Sequence, residues 1–235
     1  MGLKTPRRHS SPMGDAEEFF DAVRKGDVPR VKEWLAKDRS LVNAKTERGF
    51  SPVTVAAYNG QKEVVRAILA HKPMLTIHEA ALAGDLERVK MLFEGDPHLI
   101  NDTSSPDGFP PLALAAYTGQ VRIVKFFLVN GADVNFAAPG LGFTALTGAV
   151  SNGHAEVVKV LVGAGANVNH VYEDDAASVM TTAAAEGNVE VVKILLDAGG
   201  DVNVRTKDGK TPLAMALEKG HTGIAELLRA RGGTE

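Results

Sequence analysis

Cysteine is absent from all 235 residues. Its absence excludes disulfide staples, thiol nucleophiles and cysteine-ligated zinc, and agrees with a reducing compartment. Long apolar runs are missing too, and no stretch approaches the roughly 18 residues that a membrane span requires. The first fourteen residues are basic and rich in Pro and Ser but contain no apolar secretory core. Neither sign of charge dominates: 26 Lys and Arg stand against 29 Asp and Glu. No basic field therefore invites nucleic acid or an anionic membrane. Aromatic residues make up only 6% of the chain, with one Trp and three Tyr, so the place of each ring carries weight.

Arrangements that carry chemistry are equally lacking. There is no G-x-S-x-G elbow, no phosphate-binding P-loop and no dinucleotide fingerprint. Gly140-Leu141-Gly142 lacks the flanking strand and helix of a phosphate loop. No two of His71, His78, His98, His154 and His221 share a helix face with a carboxylate in a metal-binding spacing. The expectation is a chain with no catalytic residue, no cofactor and no metal.

What the chain does have is a period. Gly26, Gly60, Gly84, Gly119, Gly153, Gly187 and Gly220 follow one another at 34, 24, 35, 34, 34 and 33 residues, and such self-similarity marks stacked repeats. The unit is clearest near its last copy. There Thr211 suits a helix N-cap, Pro212 suits the first helical position, and Leu213 to Ala216 lead to Gly220. Ser51-Pro52 repeats the pairing, Thr144 and Ser178 keep the cap, and Pro110-Pro111 keeps only the proline. Alanine pairs such as Ala56-Ala57 and Ala115-Ala116 sit where two helices approach closely. A second helix carries apolar pairs four residues apart, as in Val157-Val158 with Leu161-Val162. It ends in turn-forming segments such as Gly131-Ala132-Asp133-Val134-Asn135. Neither helix can bury its face alone, so stability comes from stacking.

Thr211-Pro212-Leu213 and Gly131 to Asn135 resemble the T-P-L-H-x-A and G-A-D-V-N elements of the ankyrin repeat family. The resemblance implies an all-α solenoid of about seven helix pairs with projecting β-hairpin fingers. It also implies a non-enzymatic scaffold that binds a protein or peptide on a concave face. Residues 1–14 form a flexible tail, and one solenoid covers 15–231, with repeats at about 15–49, 50–74, 75–107, 108–141, 142–175, 176–208 and 209–231. Residues 232–235 close the chain. Gly84-Asp85-Leu86-Glu87-Arg88-Val89 and Ser105-Pro106-Asp107-Gly108-Phe109 look like short ankyrin proteins common in bacteria. A cytoplasmic monomer is expected, and the balanced charge speaks against nucleic acid and membrane.

The 24-residue step leaves only residues 70–75 between Leu69 and Thr76, so one finger is missing between repeats 2 and 3. Upstream, Gly26-Asp27-Val28 recurs as Gly84-Asp85-Leu86, and Asp38 to Asn43 recurs as Asp96 to Asn101. This offset reads as a duplicated two-repeat block. Repeat 3 therefore opens like a starting repeat, with Thr76 and Glu79 fitting a capping box. Asp15 and Glu18 are expected to serve repeat 1 in the same way.

The family builds its concave surface from finger tips and from the two residues before each glycine. By position these are Tyr58 and Asn59, Leu82, Tyr117 and Thr118, Ser151 and Asn152, and Glu186. The fingers add Arg48, Phe136, Tyr172, Glu173, Asp174 and Lys207. Tyr58 and Tyr117 are the expected anchors, since rings give large contact area at low rotamer cost. Phe50, Phe109 and Phe143 precede the cap and are expected to fold inward, and Trp34 is expected in the core. An alternative gives recognition to the acidic stretch Glu173-Asp174-Asp175 or to the basic tail. In that case the chain is a regulatory or inhibitor subunit, or a host-directed bacterial effector. Arg7-Arg8-His9-Ser10 in that tail matches a basophilic kinase pattern.

Overall fold

The computed structural model describes residues 12–139, 142–172 and 177–235. Among them stand fourteen α-helices in seven consecutive pairs and no β-strand. The chain divides into two compact units, Met1–Leu75 and Thr76–Glu235.

The first unit pairs α1 (Pro12–Lys25) with α2 (Val28–Lys37) and α3 (Pro52–Tyr58) with α4 (Lys62–Leu69). Within it α1 packs on α3, and α2 on α4. Because α1 begins at Pro12, Asp15 lies inside its first turns and does not cap it. Asp15 reaches Lys37 on α2 at 2.8 Å instead, and Glu18 reaches Arg30 at 3.5 Å. The expected capping role gives way to ion pairs that tie the two helices. Trp34 is 5% exposed, as expected of a core residue, with Arg30 and Lys37 over its ring at 5.1 and 4.4 Å.

The second unit stacks five pairs. They are α5 (Ile77–Ala83) with α6 (Leu86–Gly95), α7 (Pro111–Tyr117) with α8 (Val121–Val129), and α9 (Ala145–Ser151) with α10 (Ala155–Gly163). Then come α11 (Val179–Glu186) with α12 (Val189–Asp197), and α13 (Pro212–Glu218) with α14 (Thr222–Ala230). Each first helix packs on the next first helix and each second on the next second, so every apolar stripe finds a neighbour. The leading apolar pairs are buried throughout, as in Ile123-Val124, Val157-Val158 and Val191-Val192. Of the trailing pairs only the first member is buried (Phe127, Leu161, Leu195), while Leu128, Val162 and Leu196 are half-exposed. At 100° per residue the stripe turns away from the neighbouring helix by that position.

The caps follow the sequence closely. Ser51, Thr76, Thr144, Ser178 and Thr211 each accept the backbone N–H three residues on, and Thr76 with Glu79 closes a full capping box. Pro110 leaves its helix without a side-chain cap. The second helices gain caps that were not foreseen: Asp27, Asp85 and Asn188 accept from Arg30, Arg88 and Val191 N–H. Asp38 and Asp96 cap short 3-10 turns, Arg39–Asn43 and Pro97–Asn101, in the same way. The recurring segments 26–43 and 84–101 thus carry matching capping aspartates. Ser40, by its hydroxyl and its N–H, holds the Asp38 carboxyl below the usual carboxylate range.

The fingers are tight hydrogen-bonded turns. Thr46 N–H donates to Phe50 O at 2.9 Å and Thr206 N–H to Lys210 O at 3.0 Å. One isolated bridge, Val171 to Ser178, is all that the described residues hold of a hairpin ladder.

The last asparagine of each G-A-D-V-N segment is a clasp between repeats. Asn135 Oδ1 accepts from Asn167 N–H at 2.8 Å, and Asn169 Oδ1 from Asp201 N–H at 2.7 Å. Asn203 Oδ1 accepts from Thr234 N–H at 2.8 Å. Their amides donate onward to the carbonyls of Gly165, Gly199 and Gly232. Asn43 does the acceptor half in the first unit, taking Met74 N–H at 2.8 Å. Asn169→Ala is expected to lower stability by about 1–2 kcal/mol, since two backbone groups lose their partner at once. Chemical denaturation checks this, with Asn169→Asp, which keeps the acceptor, falling in between.

Candidate partner-binding surface

Three of the expected surface residues meet in one place in the first unit. Arg48, Tyr58 and Asn59 line a cleft of about 800 Å³ together with Gly14, Ala16, Glu17, Phe20, Arg24, Lys45, Thr46, Glu47, Phe50 and Val55. One wall is α1, whose Glu17, Phe20 and Arg24 recur every three or four residues and so share a face. The other wall is the end of α3, and the 45–50 turn forms the lip. The floor is apolar: Phe20 and Val55 are buried, and Phe50 and Tyr58 are half-buried with rings edge-on at 6.0 Å. Arg48 lies over the Phe50 ring at 5.4 Å. Asn59 anchors its amide by donating Nδ2–H to Val55 O at 2.8 Å, which holds its side chain at the rim. The rim is charged and exposed, with Glu17, Arg24, Lys45, Glu47 and Arg48.

The repeat interface beside the cleft is tied by a hydrogen bond. Gln61 Nε2–H donates to Arg24 O at 3.3 Å, holding the end of α1 beside the turn after α3. The sequence reading missed Phe20 and Arg24. Their 17-20-24 spacing, one face of a helix, carried the signal.

The remaining candidates lie in the second unit. Tyr117 and Thr118 are half-buried at the end of α7, where Tyr117 O accepts from His154 Nε2–H at 3.0 Å and Thr118 bonds Leu114 O. Ser151, Asn152 and Glu186 are exposed at the ends of α9 and α11, and Lys207 is exposed in its turn. Leu82 is corrected: at 3% exposure it belongs to the core, because α5 packs against both α6 and α7 and draws the aliphatic side chain inward. Phe136 is half-buried, and so is Tyr172, whose hydroxyl lies 3.2 Å from Thr182 Oγ1. Phe143 departs from the inward expectation, being 39% exposed and edge-on to Tyr172 at 5.3 Å. Glu173, Asp174, Asp175 and Leu141 lie outside the described residues, as does most of the tail.

His78 is buried and donates to Asp102 O at 2.8 Å, a structural role. Among the described residues no three His, Asp or Glu side chains gather where a metal could sit. No described helix is long and apolar enough to cross a membrane.

The family model for ankyrin repeats in three copies matches residues 77–172 and 166–234. Ankyrin repeat family A protein 2 of Homo sapiens is 30% identical over 107 residues, covering 43% of this chain and 33% of that protein. The DNA-binding protein RFXANK of Homo sapiens is 28% identical over 147 residues, covering 58% of this chain and 55% of its own length. An ankyrin repeat protein of Rickettsia felis is 26% identical over 126 residues, covering 50% and 41%. The chain thus spans between a third and just over half of these relatives. With matched repeats over more than half its length and seven helix pairs to correspond, the chain belongs to the ankyrin repeat family.

Proposed function

We propose that this chain is a non-enzymatic scaffold that binds a segment of another protein in the cleft between α1, the 45–50 turn and α3, with Tyr58 as anchor. The observation that carries the reading is the cleft itself. Half-buried rings over an apolar floor, ringed by exposed charges, are the makings of an anchor pocket with a polar rim. Ankyrin repeats mediate protein–protein contact, and the cytoplasmic, monomeric scaffold expected from the sequence fits this reading. The word DNA-binding in the name of RFXANK describes that protein. Here the balanced charge supports a protein ligand over nucleic acid.

A peptide selected on the full chain from a random display library provides the probe. Tyr58→Ala is expected to weaken its binding about thirtyfold, the size of an interface hot spot. Trp34, the one Trp of the chain, reports by fluorescence that the first unit remains folded. Binding that survives Tyr58→Ala unchanged but falls with Tyr117→Ala would move the anchor to the second unit.

A second reading rests on the edge-on pair of exposed Phe143 and half-buried Tyr172, which the acidic residues 173–175 follow directly in sequence. It assigns recognition of a basic partner to that finger, in a regulatory or effector role. Neutralising Glu173, Asp174 and Asp175 would then abolish binding while Tyr58→Ala leaves it intact.

A further inference from the structure

Resting on the cleft as the binding site, we infer the chemistry of its partner: an extended peptide segment with an apolar side chain and an acidic residue two positions apart. Charge on α1 is the starting point. Its Asp15, Glu18 and Asp21 are all engaged, with Lys37, Arg30 and Lys25 respectively. Arg24 faces the cleft with no carboxylate in ion-pair reach among the described residues. The remaining rim charges balance, Glu17 and Glu47 against Lys45 and Arg48, and Arg48 is already stacked on Phe50. The net positive charge of the cleft therefore rests on Arg24.

Spacing supplies the second half. Phe20 and Arg24 stand one helical turn apart, about 6 Å along the axis. Residues i and i+2 of an extended peptide point the same way and lie about 6.6 Å apart. A segment running along α1 can therefore seat an apolar side chain on Phe20, Val55 and Tyr58 while its carboxylate meets the Arg24 guanidinium. The Gln61 bond to Arg24 O fixes the backbone from which that guanidinium projects. Asn59, held by its bond to Val55 O, offers its carboxamide oxygen to a peptide N–H beside the same rim. A planar guanidinium suits a carboxylate better than an ammonium does, because it donates two parallel hydrogen bonds.

The test is peptide display on the full chain, repeated with Arg24→Glu and Arg24→Gln, with Trp34 fluorescence and circular dichroism recording that each variant is folded. The wild type should enrich sequences with Asp or Glu two residues from an aliphatic or aromatic residue. The synthesised peptide should bind Arg24→Gln about threefold and Arg24→Glu about tenfold more weakly, the range of a partly exposed ion pair lost and then reversed. Selection on Arg24→Glu should replace the acidic residue by Lys or Arg. Enriched peptides that depend on Tyr58 yet show no acidic residue at this spacing would overturn the inference and leave the cleft as the binding site. Peptides indifferent to Tyr58, or no enrichment at all, would overturn both.

Discussion

Gly187→Ala is expected to destabilise the second unit by about 2–5 kcal/mol, well beyond the same change at Gly220. Both glycines have positive φ, +83° and +75°, where an alanine costs about 1–2 kcal/mol. What separates them is the neighbouring repeat. His221 donates Nε2–H to Ala185 O at 3.0 Å, and its ring lies where a Cβ on Gly187 would stand, with Cε1 at 2.6 Å. Nothing lies within 4 Å of a Cβ at Gly220. The excess at Gly187 is the cost of overpacking, about 1–3 kcal/mol. Gly187→Ala combined with His221→Ala should therefore cost less than the sum of the single changes. Gly148 supplies the opposite sign. It lies inside α9, and an added Cβ would meet Tyr117 only at ordinary van der Waals distance, 3.5 Å. Gly148→Ala should stabilise by about 0.5–1 kcal/mol. Denaturant unfolding of these five variants, His221→Ala among them, reads all of this. Equal costs at Gly187 and Gly220 would contradict the account.

Phe127→Ala should cost about 3–5 kcal/mol. Its ring is wholly buried on α8, which packs between α6 and α10. Phe93 on α6 is its control, a half-exposed ring edge-on to Phe126 at 5.5 Å. Phe93→Ala should cost roughly 1 kcal/mol, the worth of an aromatic pair plus part of a ring's burial. The comparison also tests where the interior of the second unit lies. Apart from Val89, the large apolar residues of α6 are half-exposed or exposed, and Leu99 and Ile100 in the following turn are half-exposed. The matching residues of the first unit, Trp34, Leu35, Leu41 and Val42, are buried.

Helix pairs and caps were legible in the sequence because each depends on a local rule. A hydroxyl three residues before an N–H, a glycine at a helix end and a four-residue apolar spacing all act within one repeat. What escaped was what one repeat does to the next. Asn135, Asn169 and Asn203 read as turn formers, and only the stacked structure shows them clasping the backbone about 32 residues on. The helix-opening Gln61, His154, Asn188 and His221 each reach back to a carbonyl of the preceding repeat, and no local pattern announces that. Asp15 was misread for the same reason: its partner, Lys37, is on another helix. Leu82 failed as a surface residue because position alone cannot tell a rim from a core when the side chain is aliphatic. Tyr58, Asn59 and Arg48 were legible by position, but the cleft they share needed Phe20 and Arg24 from α1 to complete it.

The binding surface is tested most directly by amide chemical-shift mapping of the full chain with its selected peptide. The largest shifts are expected in residues 16–24, 45–50 and 55–59. Shifts gathered instead at Tyr117, Thr118, Ser151, Asn152 and Glu186, or around Phe143 and Tyr172, would contradict that expectation.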